Sequence, residues 1–235
     1  MTLVVRPTKR ATLTALLLFP GLLVTGAAAR AAGPEDMTFF LTSIGSGKGA
    51  DLGGLDGADA HCASLAAAVG NSKKPWRAYL SATAPGGDAG VNARDRIGKG
   101  PWQNIEGVVI AKDVDDLHSP NTNINKKTAL TERGEIVPGR VDPVNTHDVL
   151  TGSDPQGMYS TAGGDTTCGN WTKGGDDGSA IVGHHDRMGL KVSRHMMSWN
   201  SSHGTRGCSP EGLKSGWRWP VLLLPRELSA QALTR

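Results

Sequence analysis

The chain of 235 residues lacks the sequence signatures of the common catalytic and nucleotide-binding sites. It contains no P-loop, no intact metal-ligand motif and no Gly-x-Ser-x-Gly nucleophile elbow. A Gly-rich segment at 45–50 matches the letters of a dinucleotide fingerprint, but another Gly-rich turn follows before any predicted helix. No helix N-terminus is therefore placed to hold a pyrophosphate. These absences favour a binding domain over an enzyme.

Aromatic residues and cysteines are also few. Aromatics make up 5% of the chain, there are three cysteines, and glycine is abundant with 32 residues. Periodicity predicts one helix at 56–69 and strands at 37–44, 76–81, 108–111 and 149–150. Such short elements between many turns predict a single compact α+β domain with long ordered loops, rather than a helix bundle or a doubly wound sheet.

The first 31 residues have the pattern of a signal peptide. Three basic residues precede an apolar run at 11–24, and residues 29–31 form an A-x-A cleavage site. Pro20 and Gly21 interrupt the run, which is shorter than the about 20 apolar residues that span a bilayer. We expect cleavage after residue 31, a short linker at 32–36, and a secreted, periplasmic or cell-surface protein with no membrane span in its mature chain.

The basic charge of the chain is concentrated in this leader. The formal net charge is +3, and residues 1–31 contain four basic residues and no acidic one, so cleavage leaves a charge of −1. A nearly neutral mature chain has no electrostatic footprint for nucleic acid. We therefore expect no nucleic-acid partner.

Several short motifs follow one another between residues 56 and 208. They are the helix at 56–69 with Cys62, the segments 76–81, 100–102 and 149–155, and two tryptophan-containing segments at 168–171 and 198–203. In this order they resemble the endostatin-like branch of the C-type lectin-like fold, which includes bacterial secreted lectin-like proteins. The resemblance implies two helices, a twisted antiparallel sheet and long irregular loops at 37–224, and ligand binding without catalysis.

The resemblance also implies a disulfide framework. Cys168 and Cys208 match the inner of two nested pairs, whereas Cys62 matches the helix cysteine of the outer pair, and its partner is missing. The residues 217–224 can be encoded by a DNA sequence that, when it is read one base out of frame, encodes a glycine turn followed by a strand with a cysteine. We therefore hypothesise a frameshift that leaves the tail at 225–235 out of frame. The alternative is a divergent end, with Cys62 as an ordinary buried thiol.

The resemblance places a recognition surface in the loops between about 154 and 203, and its expected partner is a glycan or an extracellular protein. Tryptophan stacking and Asn or Asp hydrogen bonds are typical of sugar binding. The candidate ligand-binding residues are Asp154, Asn170, Trp171, Trp199, Asn200 and His203. The segment 199–201 resembles the Trp-Asn-Asp stretch of calcium-dependent lectins, but a serine replaces the aspartate. This change argues against calcium.

One cluster of residues suits a metal ion. His184, His185 and Asp186 carry ligand groups that zinc or copper prefers. Adjacent residues of an extended chain point to opposite sides, so His203 or His195 would have to complete such a site. The alternative is a hydrogen-bond network in which Asp186 orients a histidine. We expect no cofactor, with zinc or calcium as alternatives, and the rival functions are a small metal-dependent enzyme and a structural envelope protein.

Overall fold

A computed structural model describes residues 31–73, 75–83 and 90–214, all of which belong to one unit of the chain. Residues 1–30 of the predicted signal peptide, and residues 215–235 with the frameshift hypothesis, lie outside the described residues. Within the described ranges, no helix is long and apolar enough to cross a bilayer.

The longest helix of the described residues is α1 (Gly54–Ala68). It begins two residues before the predicted start, and its N-cap residue is Gly53, whose left-handed conformation with φ 74° is easily adopted by glycine. Ala58 and Leu65 are buried, and Cys62 packs against the core that contains Ala58. The other helical elements are short turns: a 3₁₀ turn at Pro34–Asp36, α2 (Ala93–Arg96), α3 (Val114–Leu117), α4 (Cys168–Trp171) and α5 (Pro210–Leu213).

The strands of the described residues form three small antiparallel sheets. They pair β1 (Ala82–Thr83) with β2 (Gly90–Val91), β3 (Trp102–Gln103) with β4 (Val109–Ala111), and β5 (Asp148–Leu150) with β6 (Ile181–His184), which also pairs with β7 (His203–Gly204). The predicted α+β class is therefore confirmed.

The strands predicted at 37–44 and 76–81 are not formed. The first segment makes only an isolated bridge between Leu41 and Thr131. In the second segment, the backbone N–H of Ala78 donates a hydrogen bond of 2.8 Å to the buried carboxylate of Asp59. This side chain occupies the position at which a neighbouring strand would accept the bond. Backbone groups of an extended segment need partners, but those partners need not form a ladder.

The predicted disulfide between Cys168 and Cys208 is present, and Cys62 is a free thiol. The two Cα atoms are 5.7 Å apart, and both residues are fully buried in a core with α1 and Trp171. Burial raises the pKa of Cys62 to about 11. Because Cys168 precedes β6 and Cys208 follows β7, the disulfide closes the part of the chain that contains both strands.

We expect the double substitution of Cys168 and Cys208 by alanine to lower the free energy of unfolding by about 3–4 kcal/mol, because the bond restricts a loop of this length in the unfolded chain. The sequence separation of the two cysteines is 40 residues. Chemical denaturation without reductant measures this loss. Cys62→Ala is the matched control and should lose less than about 2 kcal/mol. If both variants lost the same free energy of unfolding, the disulfide would stabilise the fold no more than the buried side chain of Cys62 does.

Candidate metal centre

Sheet pairing brings three polar residues onto one face of the β5-β6-β7 sheet. Asp148 lies directly opposite His184 in the register of β5 and β6, and His203 lies opposite Val182 in that of β6 and β7. Because side chains two residues apart share a face, His203 is the diagonal neighbour of His184. His147, which precedes β5, stacks its ring on that of His184 with centroids 4.1 Å apart and planes at 11°.

The three imidazole rings direct their Nε2 atoms at one carboxylate oxygen. Oδ1 of Asp148 lies 3.2 Å from Nε2 of His147, 3.4 Å from that of His184 and 3.8 Å from that of His203. In a tetrahedral zinc site with bonds of about 2.0–2.1 Å, neighbouring ligand atoms lie about 3.3 Å apart. The distances from Asp148 to His147 and His184 are therefore close to those between ligands of one ion, whereas the distance to His203 is longer.

The other nitrogen of each ring is already bound. Nδ1 of His184 lies 2.7 Å from the carbonyl oxygen of Met196, and Nδ1 of His203 lies 3.1 Å from that of Gly204. Since a carbonyl oxygen can only accept, these Nδ1 atoms carry protons. In each neutral ring, Nε2 then has a free lone pair, which is the arrangement found in metal-bound histidines whose other nitrogen donates to a neighbouring acceptor.

Asp186 fixes the third ring. Its Oδ1 accepts a hydrogen bond of 3.1 Å from Nδ1 of His147. Burial by itself raises the pKa of Asp186, but the hydrogen bonds from His147 and from the backbones of Arg140 and Met188 outweigh it and lower the pKa to about 2. The carboxylate is therefore ionised at neutral pH and holds the proton of His147 on Nδ1.

Two atoms of the cluster are buried without a hydrogen-bond partner. They are Oδ1 of Asp148 and Nε2 of His184, and the His184 residue is 2% exposed. The contacts between the rings and Asp148 are thus close but are not aligned as hydrogen bonds. Burial, followed by the neighbouring His147, lowers the pKa of His184 and favours its neutral ring. Unpaired buried polar atoms are rare in proteins, and a cation held between them would satisfy both.

The cluster opens onto a cavity of about 420 Å³. Besides the four residues of the cluster, its wall includes Arg140, Asn145, Gly189, Leu190, Met196, Gly204, Thr205, Arg206 and Leu213. This volume lies within the range of small-molecule sites in proteins. The ligand atoms are therefore next to space that a further molecule can enter.

The structure separates the three residues of the predicted metal cluster. His184 belongs to the centre, in which His147, Asp148 and His184 place one ligand atom each within 4.8 Å of one another. His185 instead directs Nε2 at the carbonyl oxygen of Pro138, 3.3 Å away. Asp186 supports His147, so the predicted orienting role of Asp186 describes its place better than metal ligation does.

Two of the predicted ligand-binding residues have structural roles. Asn170 and Trp171 lie in α4, where they and Cys168 have φ values of 49–65°. A left-handed turn is unfavourable for residues other than glycine by about 1–2 kcal/mol each. The side chain of Asn170 bonds to Thr83, and Nε1 of the fully buried Trp171 donates to the carbonyl oxygen of Ser81. Trp171 therefore offers no face for a sugar to stack on.

The candidates at 154 and 199–200 are also bound within the fold. Asn200 is 2% exposed, and its amide group donates to the hydroxyl of Tyr79 and the carbonyl oxygen of Asp154. The carboxylate of Asp154 accepts backbone hydrogen bonds within its own turn. Trp199 packs on Tyr79 and donates from Nε1 to the backbone of Leu117. Of the six candidates, His203 alone lines the cavity beside the cluster.

His147 and Asp148 were not among the residues predicted from the sequence. Both lie directly before the strand predicted at 149–150. A His-Asp pair at the start of a strand resembles the His-His-Asp triplet at the end of β6. The link between the two is the pairing of Asp148 with His184, which a single sequence does not give. A search for histidine and carboxylate pairs at the ends of predicted strands would have found both.

No family model matches this chain, and no curated protein matches its sequence significantly. The geometry of the cluster is therefore the main guide to function.

The position of His184 depends on a glycine beside it. The carbonyl group of Trp199 packs directly against the Cα of Gly183, so that a side chain at 183 would overlap it. We expect Gly183→Ala to lower the free energy of unfolding by about 1–3 kcal/mol, as overpacking does. Gly45→Ala is the matched control, since no atom lies within 4 Å of its added methyl group. Thermal or chemical denaturation measures both, and equal stability of the two variants would contradict the prediction.

Proposed function

We propose that this domain binds one divalent transition-metal ion, with zinc as the best match, and uses it to recognise a ligand in the adjoining cavity. Three ligands are His147, Asp148 and His184, whose ligand atoms lie within 4.8 Å of one another, and His203, with Nε2 3.8 Å from Oδ1 of Asp148, would complete the set as a fourth. The observation that carries the proposal is the convergence of three Nε2 atoms on Oδ1 of Asp148 without hydrogen bonds.

A metal-free hydrogen-bond network explains these contacts less well. To donate to Asp148, the rings would need protons on Nε2 in addition to those on Nδ1, and would be cations. Two rings stacked at 4.1 Å and a third at 5.1 Å would then repel one another. Neutral rings avoid this repulsion, but they direct lone pairs at a carboxylate. A cation between them removes both problems.

The ligand types favour zinc over calcium. Imidazole nitrogens suit zinc and copper, whereas calcium takes six to eight oxygen ligands. Asn200, which lies in the segment that resembles the calcium-binding stretch of lectins, donates its amide hydrogens within the fold. Bound zinc would supply a Lewis-acidic positive charge at the wall of the cavity.

The lining of the cavity favours recognition over hydrolysis. Metal-assisted hydrolysis usually has a general base within hydrogen-bond reach of the attacking water. Among the described residues that line the cavity, every imidazole and carboxylate belongs to the proposed ligand set. For this reason we propose ligand recognition, and not hydrolysis, as the role of the site.

The wider setting of this function follows from the sequence. The disulfide supports an oxidising compartment, and with the predicted leader it favours a secreted, periplasmic or cell-surface protein. The small antiparallel sheets and irregular segments are compatible with a C-type lectin-like, endostatin-like domain. The partner that we expect for such a domain is a glycan or an extracellular protein, which would bind at this site.

We expect purified protein to bind one zinc ion per chain, measured by calorimetry and by metal analysis after dialysis. Zinc at about 100 times its dissociation constant should stabilise the fold by about 2.7 kcal/mol. His184→Ala and the isosteric Asp148→Asn should each weaken zinc binding by more than about a hundredfold, because each removes a direct ligand and not only a residue that orients one.

Two controls make this test specific. His195→Ala removes an exposed histidine outside the cluster and should bind zinc like the unaltered protein. Asp148→Asn should fold without zinc, because an amide can donate to the Nε2 lone pairs around it. Zinc binding that survives Asp148→Asn, or that His195→Ala removes, would place the metal elsewhere.

Asp186 provides a separate test of the groups that orient the ligands. Asp186→Asn keeps all four ligands but removes the charged acceptor of the His147 proton. We expect zinc affinity to fall by about 10–100-fold while binding stays at one ion per chain. Calorimetry measures the affinity, and circular dichroism checks that the variant is folded. If the affinity for zinc were unchanged, Asp186 would have no role in orienting His147 for metal binding.

A further inference from the structure

Two arginines line the cavity beside the proposed metal site. Arg140 precedes β5, and its backbone N–H donates to Oδ2 of Asp186 at 2.7 Å, which ties it to the residue that orients His147. Arg206 follows β7, two residues after the end of that strand. Among the described residues, neither guanidinium group forms an ion pair with a carboxylate.

The charges around the cavity do not balance. Asp148 is the one carboxylate among the described residues that line the cavity, and two arginines line the same cavity. A divalent ion would add two more positive charges at the same wall. Arginine is suited to binding carboxylate and phosphate oxygens in pairs, and its charge is retained at any physiological pH. The cavity therefore has a surplus of positive charge that an anionic ligand would neutralise.

Part of the wall is apolar. Leu190, Met196 and Leu213 line the cavity, and Leu190 is 59% exposed. The volume of about 420 Å³ exceeds what a single small inorganic anion fills. An organic group attached to the anion would cover this wall and bury its apolar surface.

We propose that the ligand of this cavity is a small organic oxyanion, whose anionic oxygens lie between the metal ion, Arg140 and Arg206. Its apolar part lies on Leu190, Met196 and Leu213. Carboxylate, phosphate and sulfate groups share the required chemistry. This inference rests on the proposed metal site, and its test separates the two.

The test titrates zinc-loaded protein with named probes by calorimetry. Benzoate, phenyl phosphate and phenyl sulfate distinguish the three anionic groups, and acetate, inorganic phosphate and inorganic sulfate are their counterparts without the phenyl ring. We expect at least one phenyl probe to bind more tightly than its small counterpart. Arg140→Gln and Arg206→Gln should each weaken that probe by about tenfold or more, as the loss of a charge-assisted hydrogen bond does. Both variants should still bind zinc.

Arg194→Gln is the matched control, because Arg194 is exposed and is not part of the cavity lining. It should bind the probe like the unaltered protein. With cobalt in place of zinc, addition of the probe should change the visible absorption spectrum, since an anion that reaches the metal alters its coordination.

The outcomes distinguish the two proposals. Absence of zinc binding would overturn the metal site itself. Normal zinc binding without affinity for any of the probes would overturn the oxyanion inference alone. So would probe binding that both arginine variants retain in full, or a cobalt spectrum that no probe changes.

Discussion

The antiparallel pairing of β5, β6 and β7 is the constraint on which the candidate site depends. It places Asp148 opposite His184 and His203 diagonally beside them. A shift of one residue in this register would move His184 to the other face of the sheet, because side chains alternate along a strand. The register is set in turn by the packing around it. Gly183 admits the backbone of Trp199, and the disulfide closes the segment that contains β6 and β7.

The site stands on a sheet of only three short strands, so much of its rigidity must come from elsewhere. The Cys168–Cys208 bond and the buried Trp171 belong to the same core as α1, and Ala180 connects that core to the start of β6. On the other side of the cluster, the carboxylate of Asp186 holds His147 and the backbones of Arg140 and Met188. Each ring thus has a fixed orientation before any ligand is present, which is what a selective site requires.

The sequence predicts local features better than the site. The periodicity of Ala58, Cys62 and Leu65 predicts α1, and the family resemblance implies the pairing of Cys168 with Cys208. Burial is harder to predict. Trp171 and Asn200 have the residue types of a recognition surface but lie inside the protein, since tertiary contacts decide the exposure of a residue in an irregular segment. His147 and Asp148 meet His184 across a long stretch of chain, and only the strand register shows this.

Without a bound cation, the unpaired polar atoms of the cluster lower the stability of the fold. A buried carboxylate oxygen without a donor, next to imidazole lone pairs, destabilises a fold, whereas an apolar replacement of both partners can be nearly neutral. The acceptors behind the rings make this worse in the metal-free state, because they hold the Nδ1 protons and so keep the lone pairs directed at Asp148. A bound cation would remove this destabilising effect. Polar residues that reduce stability yet are held in place by well-aligned hydrogen bonds are typical of functional sites, where binding compensates for what the fold loses.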